Sequence, residues 1–325
     1  MFDRFTGKVA YLSTWIGFTI GCNVARRFPR PIYRLSDTVA SAGFFLFRSF
    51  RNRSTSNIRI ALGAELNGAA ADNIARRSLR NFFRSCVEIG VAIKLSDQEL
   101  RASIPMFGRE NIDTALAKGK GVLILSAHLG NFFLIGSRLA LEGLPTYVLV
   151  NQPREGRFAK LMDAYRLQVR QTTIHARPRR RAQQELSEIL RRNQMVVMIA
   201  DEYRKGSGIE VSLFGRMVIA RRGPVTLALR TGAAIVPACL IREPDDTLKL
   251  IVEPELALDR TSKGKTQIRD NTIRITQWLE RTVRAYPDQW NWTNIHWWGN
   301  RKDDAVRAAG LRTAAMLTRM ERGDT

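Results

Sequence analysis

Hydrophobic and polar residues alternate in two different ways along this chain. Up to about residue 95, apolar side chains recur at the spacing of one helical face, as they do from Ile74 to Val91. Beyond residue 108, short apolar runs alternate with longer amphipathic stretches. Short apolar runs are typical of buried strands, and strands that alternate with helices form parallel sheets. The pattern therefore predicts an α/β fold with a mostly parallel central sheet flanked by helices.

Five apolar runs are the predicted strands. They are aliphatic, and glycine or polar residues bound them. The runs are residues 121–127, Thr146 to Val150, Gln194 to Ala200, 233–241 and 248–258. Amphipathic stretches between and after them predict helices, the longest at residues 266–287. Before the sheet, Ser56 or Asn57 would begin a helix that Gly63 ends.

The start of the chain has a different character. The run from Val9 to Ala25 carries no charge, Lys8 precedes it, and Arg26 and Arg27 follow it. Its length is at the bottom of the range for a spanning helix, and arginines stand where a signal peptide would have its small-residue cleavage site. We therefore expect membrane-associated anchor helices in residues 1–50, as one short span or as a helix lying in the interface. A buried helix hairpin is the alternative.

Composition adds an expectation about partners. The 325-residue chain has 52 Lys and Arg against 30 Asp and Glu, a formal net charge of +22. This surplus favours anionic partners: membrane lipid, nucleic acid or an acidic carrier protein. No recognition motif accompanies the arginines from Arg177 to Arg181, so we expect no nucleic acid as a partner. Three scattered cysteines and three scattered histidines predict neither a disulfide framework nor a metal site.

His128 stands where a catalytic base is expected. It follows the apolar run 121–127 directly, and a turn and a predicted helix come after it. Sites in parallel sheets form at the carboxyl ends of strands, and Asp201 follows the run ending at Ala200 in the same way. Imidazole can take a proton from a hydroxyl group, and the amides that begin the next helix could hold an anion. A core histidine bonded to backbone is the alternative.

Four blocks of the sequence carry a family resemblance. In chain order they are GVLILSAHLGN (121–131), MIADEYRKGSGIEVSLFGR (198–216), RRGPVTLALRTGAAIVPACLI (221–241) and PDQWNWTNIHWW (287–298). Together they resemble the bacterial lipid A lauroyl/myristoyl acyltransferase family and the related phosphatidylinositol mannoside acyltransferases. The resemblance covers nearly the whole chain. The resemblance implies a glycerolipid-acyltransferase-like fold. It also implies an acyltransferase domain at residues 51–300 and a basic tail at 301–325.

The resemblance also implies a reaction. A fatty acyl chain would pass from acyl-carrier protein or acyl-CoA to a hydroxyl of a glycolipid or lysolipid acceptor. The acyl thioester would be a co-substrate, with no further cofactor. Anionic membrane lipid would be a partner, and the implied location is the cytoplasmic face of the cell inner membrane.

The chain departs from the family motif at one position. The family carries an Asp or Glu five residues after its histidine, and this chain has Phe133 there. Phenylalanine cannot orient an imidazole, so either a distant acid does so or the protein is an impaired member that binds lipid or acts as a scaffold. Glu210 lies in a segment that resembles the mannoside acyltransferases, so it is slightly favoured over Asp201 as the orienting acid.

Other residues near the predicted strand ends are candidates for substrate binding. Asn151 stands where the family usually carries an arginine, and arginines nearby could bind an acidic head group or a carrier phosphate. The candidates are Asn131, Arg154, Arg157, Glu202, Arg204 and Arg216. Surface ion pairs are the alternative role for the charged ones. Phe132 and Phe133 would line an acyl-chain pocket or pack in a helix core.

Overall fold

The computed structural model describes residues 20–63, 66–143, 145–151, 157–203 and 208–297. The uncharged run before residue 20 and the predicted tail, 301–325, therefore lie outside the described residues. So do two of the substrate-binding candidates, Arg154 and Arg204.

Helices form the amino-terminal third and separate most of the strands. Residues 20–27 are helical, and further helices follow them. These are α1 Pro29–Leu46, α2 Arg48–Leu62, α3 Gly68–Ala92, α4 Asp97–Ser103, α5 Arg109–Leu116, α6 Ile135–Ala140, α7 Arg157–Gln168, α8 Arg179–Arg191, α9 Gly223–Thr231 and α10 Gly264–Ala285. Short 3₁₀ turns lie at Phe132–Leu134, Pro287–Gln289 and Trp292–Asn294.

A seven-stranded sheet is the centre of the fold, with the order β1-β9-β8-β2-β5-β3-β4. A separate two-stranded hairpin consists of β6 and β7. The strands are β1 Met106–Phe107, β2 Val122–Ser126, β3 Thr146–Val150, β4 Thr172–His175, β5 Met195–Ile199, β6 Ile209–Leu213, β7 Arg216–Ala220, β8 Ala234–Arg242 and β9 Leu248–Val252. Only the β8–β9 pair of the seven-stranded sheet is antiparallel. The predicted mostly parallel sheet flanked by helices is confirmed.

The central strands are apolar throughout because helices cover both faces of the sheet. All five residues of β2 are buried, and the four apolar side chains alternate between two hydrophobic clusters. Leu123 and Leu125 join one cluster, whereas Val122 and Ile124 join the other. Burial on both faces explains why such a strand reads as a continuous apolar run. It also fixes where the strand ends, and with it the position of His128.

The structure differs from the predicted elements in the amino-terminal helices. Helix α2 begins at Arg48, before the predicted caps, and ends at Leu62 as expected. Asn57 is buried inside this helix, where its side-chain amide donates a hydrogen bond to the Trp292 carbonyl. Asn57, which resembles a helix cap in the sequence, thus makes a contact with a residue far away in the chain. The predicted boundary at residue 50 falls within α2.

Helix α1 packs along α3 through small residues. Ser36, Ala40 and Gly43 are buried on the face of α1 that meets the domain. The neighbouring α1 residue Tyr33 donates a hydrogen bond to Glu88 of α3. None of the helices in the described part of the chain is both long and apolar enough to cross a bilayer.

Candidate active site

The register of two neighbouring strands brings His128 and Asp201 together. Ser126 at the end of β2 pairs with Ile199 at the end of β5 in a parallel ladder. The residues two positions beyond this pair are therefore side by side at the carboxyl edge of the sheet. His128 Nδ1 lies 2.7 Å from Asp201 Oδ1, and the His128 backbone N–H donates to Oδ2 at 2.8 Å.

Asp201 is sealed from solvent and held by several donors. Its side chain is 1% exposed, whereas that of His128 is 23% exposed. The indole N–H of Trp290 donates to Asp201 Oδ2 at 2.7 Å. Burial alone would raise the pKa of Asp201, but the His128 charge and the hydrogen bonds from His128 and Trp290 outweigh it and lower the pKa. The site thus combines an ionised, inaccessible carboxylate with an imidazole that solvent can reach.

The tryptophan-rich carboxyl-terminal segment closes one side of the site. The Asn291 N–H donates to the His128 carbonyl at 3.0 Å, and the Gly130 N–H donates to the Gln289 carbonyl at 2.9 Å. Trp290 is fully buried, and its ring lies 4.8 Å from that of Trp292 in an edge-to-face arrangement. This packing orients the indole N–H toward Asp201.

The turn after His128 is fixed by backbone contacts to β8. Gly130 has φ +59°, and a Cβ atom there would lie 2.0 Å from the Leu240 carbonyl oxygen. Only glycine fits, because the position is both left-handed and crowded. The Asn131 N–H donates to the same Leu240 carbonyl at 2.8 Å. The backbone amides of His128, Gly130 and Asn131 are therefore all occupied by hydrogen bonds within the protein.

A buried polar network supports this turn from α3. Glu88 Oε2 accepts the side-chain amide of Asn131 at 2.7 Å, and Glu88 Oε1 forms an ion pair with Arg242 at 2.7 Å. Tyr33 also donates to Oε1 at 3.1 Å, and burial followed by the charge of Glu88 raises the pKa of Tyr33. Asn131 is 1% exposed. Its side chain therefore holds the turn in place, and its role in substrate binding stays a prediction.

Replacing Glu88 with alanine should destabilise the fold strongly. Arg242 has a side chain only 6% exposed, and it would remain buried without its carboxylate. Loss of one partner of a buried pair costs about 3–5 kcal/mol. Denaturant titration of Glu88→Ala should show this loss, while Glu185→Ala, which breaks the exposed pair with Arg181, should cost less than about 1 kcal/mol. Equal stabilities of the two variants would contradict the structural role of Glu88.

Glu210 does not occupy the orienting position that the sequence favoured for it. It lies on β6, at an exposed position in register with Ile219 of β7. The orienting position on His128 Nδ1 is taken by Asp201. The preference for Glu210 over Asp201 is thus not the arrangement that the structure shows. The reason is the strand register, which places residue 201 and not the following hairpin beside the histidine.

The other candidates are dispersed around this edge of the sheet. Glu202 follows Asp201 and is partly buried, and Arg216 is exposed at the start of β7. Arg157 begins α7, but its side chain lies outside the described part of the structure. Their roles in substrate binding stay predictions.

Phe133 lies beside the histidine turn with its ring in an aromatic cluster. It belongs to the 3₁₀ turn Phe132–Leu134, and its carbonyl accepts a hydrogen bond from the Gln171 side chain. The Phe132 ring lies between the other two rings, 4.9 Å from His128 and 4.1 Å from Phe133. The position where the family carries an acid is therefore apolar here, and Asp201 supplies the carboxylate from the neighbouring strand.

Two important residues were not among the sequence candidates. Trp290 lies in the tryptophan-rich block, but nothing in the sequence indicated that its indole N–H donates to Asp201. Glu88 lies within the amphipathic segment of α3, where a carboxylate beside the apolar face was a signal that could have been followed.

Known proteins with similar sequences belong to one family of acyltransferases. The family described as "Bacterial lipid A biosynthesis acyltransferase" matches residues 2–298. A phosphatidylinositol mannoside acyltransferase of Mycolicibacterium smegmatis is 24% identical over 307 residues, which cover 92% of this chain and 96% of that protein. A protein of the same name from Mycobacterium tuberculosis is 29% identical over 209 residues, or 63% of each chain. The resemblance found in the sequence is confirmed.

Proposed function

Because the chain belongs to the bacterial lipid A biosynthesis acyltransferase family, we propose that it transfers a fatty acyl chain from a thioester to a hydroxyl group of a lipid. The observation that carries this proposal is the 2.7 Å contact between His128 Nδ1 and the buried carboxylate of Asp201. A carboxylate on Nδ1 fixes the tautomer in which Nε2 accepts a proton. That is the state a general base requires.

The proposed reaction is a direct transfer. The acceptor hydroxyl gives its proton to Nε2 of His128 while its oxygen attacks the thioester carbonyl carbon. The resulting tetrahedral intermediate collapses as the carbon–sulfur bond breaks, and the imidazolium returns the proton to the departing thiolate. Asp201 remains ionised throughout and stabilises the imidazolium through Nδ1–H. The products are an ester and a free thiol, and no acyl-enzyme is formed.

The acceptor that we propose is a glycolipid or a lysolipid. Relatives named phosphatidylinositol mannoside acyltransferases support the glycolipid. The donor is acyl-CoA or an acyl-carrier protein, both of which are anionic and suit a chain with a net charge of +22. Arg154, Arg157 and Arg204 are the proposed contacts for phosphate groups of these substrates.

We also propose that α1 lies on an anionic membrane surface. Leu35, Val39 and Leu46 are exposed and share one face of this helix. Arg34 and Arg48 are exposed close to them. Apolar side chains flanked by arginines favour binding at the interface of an anionic bilayer. Such binding would bring the acceptor lipid to the protein without a spanning helix from the described residues.

Vesicles that contain anionic phospholipid and a glycolipid or lysolipid acceptor provide the test. With a long-chain acyl-CoA or acyl-carrier protein, the full-length protein should release one thiol for each acyl ester that mass spectrometry detects in the acceptor. It should also co-sediment with these vesicles, less so at high salt, because salt screens the attraction of arginines to lipid. Vesicles of neutral lipid are the control.

Absence of any ester product, with folded protein and every donor and acceptor pair, would contradict the proposed reaction and favour the lipid-binding or scaffold alternative. Equal co-sedimentation with neutral and anionic vesicles would contradict the role of the arginines.

A further inference from the structure

Trp290 reaches the proposed catalytic pair through its indole N–H, which donates to Asp201 Oδ2 at 2.7 Å. In the part of the chain that the structure describes, Trp290 and His128 are the two residues that hydrogen-bond to this carboxylate. The neighbouring Trp292 is buried as well, but its N–H donates to the uncharged carbonyl of Pro287 at 2.7 Å. A buried indole N–H needs an acceptor, and a backbone carbonyl satisfies that need. The contact of Trp290 with a carboxylate therefore indicates a role beyond packing.

The two oxygens of Asp201 have different partners. Oδ2 accepts the Trp290 indole N–H and the backbone N–H of His128, whereas Oδ1 lies 2.7 Å from His128 Nδ1. The terminal torsion of an aspartate is broad, so a carboxylate turns easily unless its oxygens are held. Two donors hold Oδ2, and Oδ1 is then left in place for the imidazole. Trp290 thereby helps to fix which oxygen faces the base.

Trp290 is itself held in place on several sides. It is fully buried, and its main chain forms an antiparallel bridge with Leu129, the residue after the base. Its carbonyl accepts the Ser78 hydroxyl of α3 at 2.5 Å. Its ring lies 4.8 Å from that of Trp292 and 6.3 Å from that of Phe214, measured between ring centroids. A donor fixed in this way needs no reorganisation when the charge of the site changes during a reaction.

The same donor weakens the affinity of Asp201 for protons. Burial raises the pKa of Asp201, but the charge and hydrogen bonds of His128 and the hydrogen bond from Trp290 outweigh it and lower the pKa. A carboxylate that accepts an additional donor attracts the proton on Nδ1 less, and it stabilises a protonated imidazole less. The proton affinity of the pair therefore depends on the Trp290 N–H.

Other titratable groups around Asp201 leave this balance unchanged near neutral pH. Tyr203 follows β5 and Cys239 lies on β8, and both are buried. Burial raises the pKa of Cys239 to about 12 and raises that of Tyr203 well above its ordinary value, so both stay neutral. Asp288, in the carboxyl-terminal segment, forms an ion pair with Arg77 at 2.5 Å. The pH response of the site near neutrality therefore comes from the pair itself.

We propose that Trp290 is a positioning residue for acyl transfer, which acts through Asp201 on the orientation and the proton affinity of His128. The proposal rests on the proposed function and adds one residue of the carboxyl-terminal segment to those that support the reaction. With the indole N–H in place, the imidazole is held in one orientation and stays neutral to a lower pH. Trp292 shares the packing but not the carboxylate contact, and its role is structural.

Replacement of Trp290 with benzothienylalanine tests this proposal, because the analogue keeps the shape of the ring and has sulfur in place of the N–H. At the optimum pH, kcat/KM should fall about tenfold, since a hydrogen bond to a charged group contributes on that order. The loss should lie in kcat, with KM unchanged, because Trp290 acts through Asp201 and not on the substrate. Asp201 would attract protons more strongly and stabilise the imidazolium, so the acidic limb of the pH profile should move up by about half a unit.

The same analogue at Trp292 is the matched control, since it removes an N–H donor from a buried ring of the same segment. It should leave kcat and the pH profile unchanged. Equal losses at both positions, or a loss that lies in KM, would show a packing role alone and overturn the proposal. An unchanged kcat and pH profile with the analogue at Trp290 would also overturn it, even if the unmodified protein is fully active.

A titration separates this proposal from the proposed function. The histidine ring protons are followed by NMR in the folded, full-length protein, and the signal of His128 is the one missing from His128→Ala. Its titration midpoint should move up by about half a unit with the analogue at Trp290 and stay in place with the analogue at Trp292. Such a shift would support the action of Trp290 on the imidazole even if no turnover were found. An unchanged midpoint would overturn the proposal.

Discussion

Replacement of His128 with alanine should lower kcat/KM for acyl transfer by about 10³- to 10⁴-fold. The change removes the general base, and proton transfer by such a group contributes most of this factor. Asp201 would keep its hydrogen bonds from Trp290 and from the backbone N–H of residue 128. The fold should therefore survive, although the carboxylate loses its contact with the imidazole.

The rate should be measured as thiol release from a long-chain thioester in the presence of the lipid acceptor. Thermal unfolding and vesicle co-sedimentation are the controls, since neither depends on the imidazole. A folded His128→Ala protein that retains more than about a tenth of the original rate would show that another group takes the proton.

Replacement of Asp201 with asparagine should lower kcat/KM by about 10² to 10⁴-fold, although the side chain keeps its shape. Oδ2 accepts two N–H groups, from His128 and from Trp290, so the amide oxygen must occupy that position. The NH₂ group then faces His128 Nδ1. A donor there favours the tautomer with the proton on Nε2, which cannot act as a base.

Glu210→Gln is the matched control for Asp201→Asn, because it makes the same chemical change at an exposed position on β6. Its rate should stay within about twofold of the unmodified protein, as expected for surface substitutions. The same thiol-release assay compares the two. A large loss with Glu210→Gln and none with Asp201→Asn would restore the assignment that the sequence favoured.

The position of His128 beyond a strand end could be predicted from the sequence because it depends on local pattern alone. The fully buried strand β2 corresponds to an apolar run whose end is visible in the sequence. His128 follows that run directly. The choice of acid depends instead on register between two strands far apart in sequence. Ser126 pairs with Ile199, and a slip of one residue would have turned Asp201 to the other side of the sheet. No local feature of either strand specifies that register.

The strand β1, the strand β4 and the hairpin β6–β7 were all missed for local reasons, β1 because it has only two residues. The hairpin β6–β7 turns at Phe214 and Gly215, with φ values of +51° and +70°. Both residues have a left-handed backbone conformation. Hairpin turns of this kind usually have the sequence Asn-Gly or Asp-Gly, and Phe-Gly does not match that pattern. Strand β4 has four residues at the edge of the sheet, too few for an alternating pattern to emerge.

The partners of Glu88, unlike its place beside an apolar helix face, could not be predicted from the sequence. Its contacts join α3 to Asn131 in the turn after His128 and to Arg242 at the end of β8. A carboxylate among arginines is most often an exposed ion pair, and only the tertiary packing shows that this one is buried. The contact of Asn131 with Glu88 could not be predicted for the same reason, because the two residues are far apart in the sequence.

A double-mutant cycle tests the central claim most directly, namely that His128 and Asp201 act as one catalytic unit. kcat/KM is measured for the unmodified protein, His128→Ala, Asp201→Asn and the double variant, all with the same thioester and acceptor. The account predicts that the double variant is slower than His128→Ala by no more than about twofold, because an orienting acid contributes nothing once the base is absent. Losses that multiply in the double variant would show that Asp201 acts independently of His128 and would contradict the proposed mechanism.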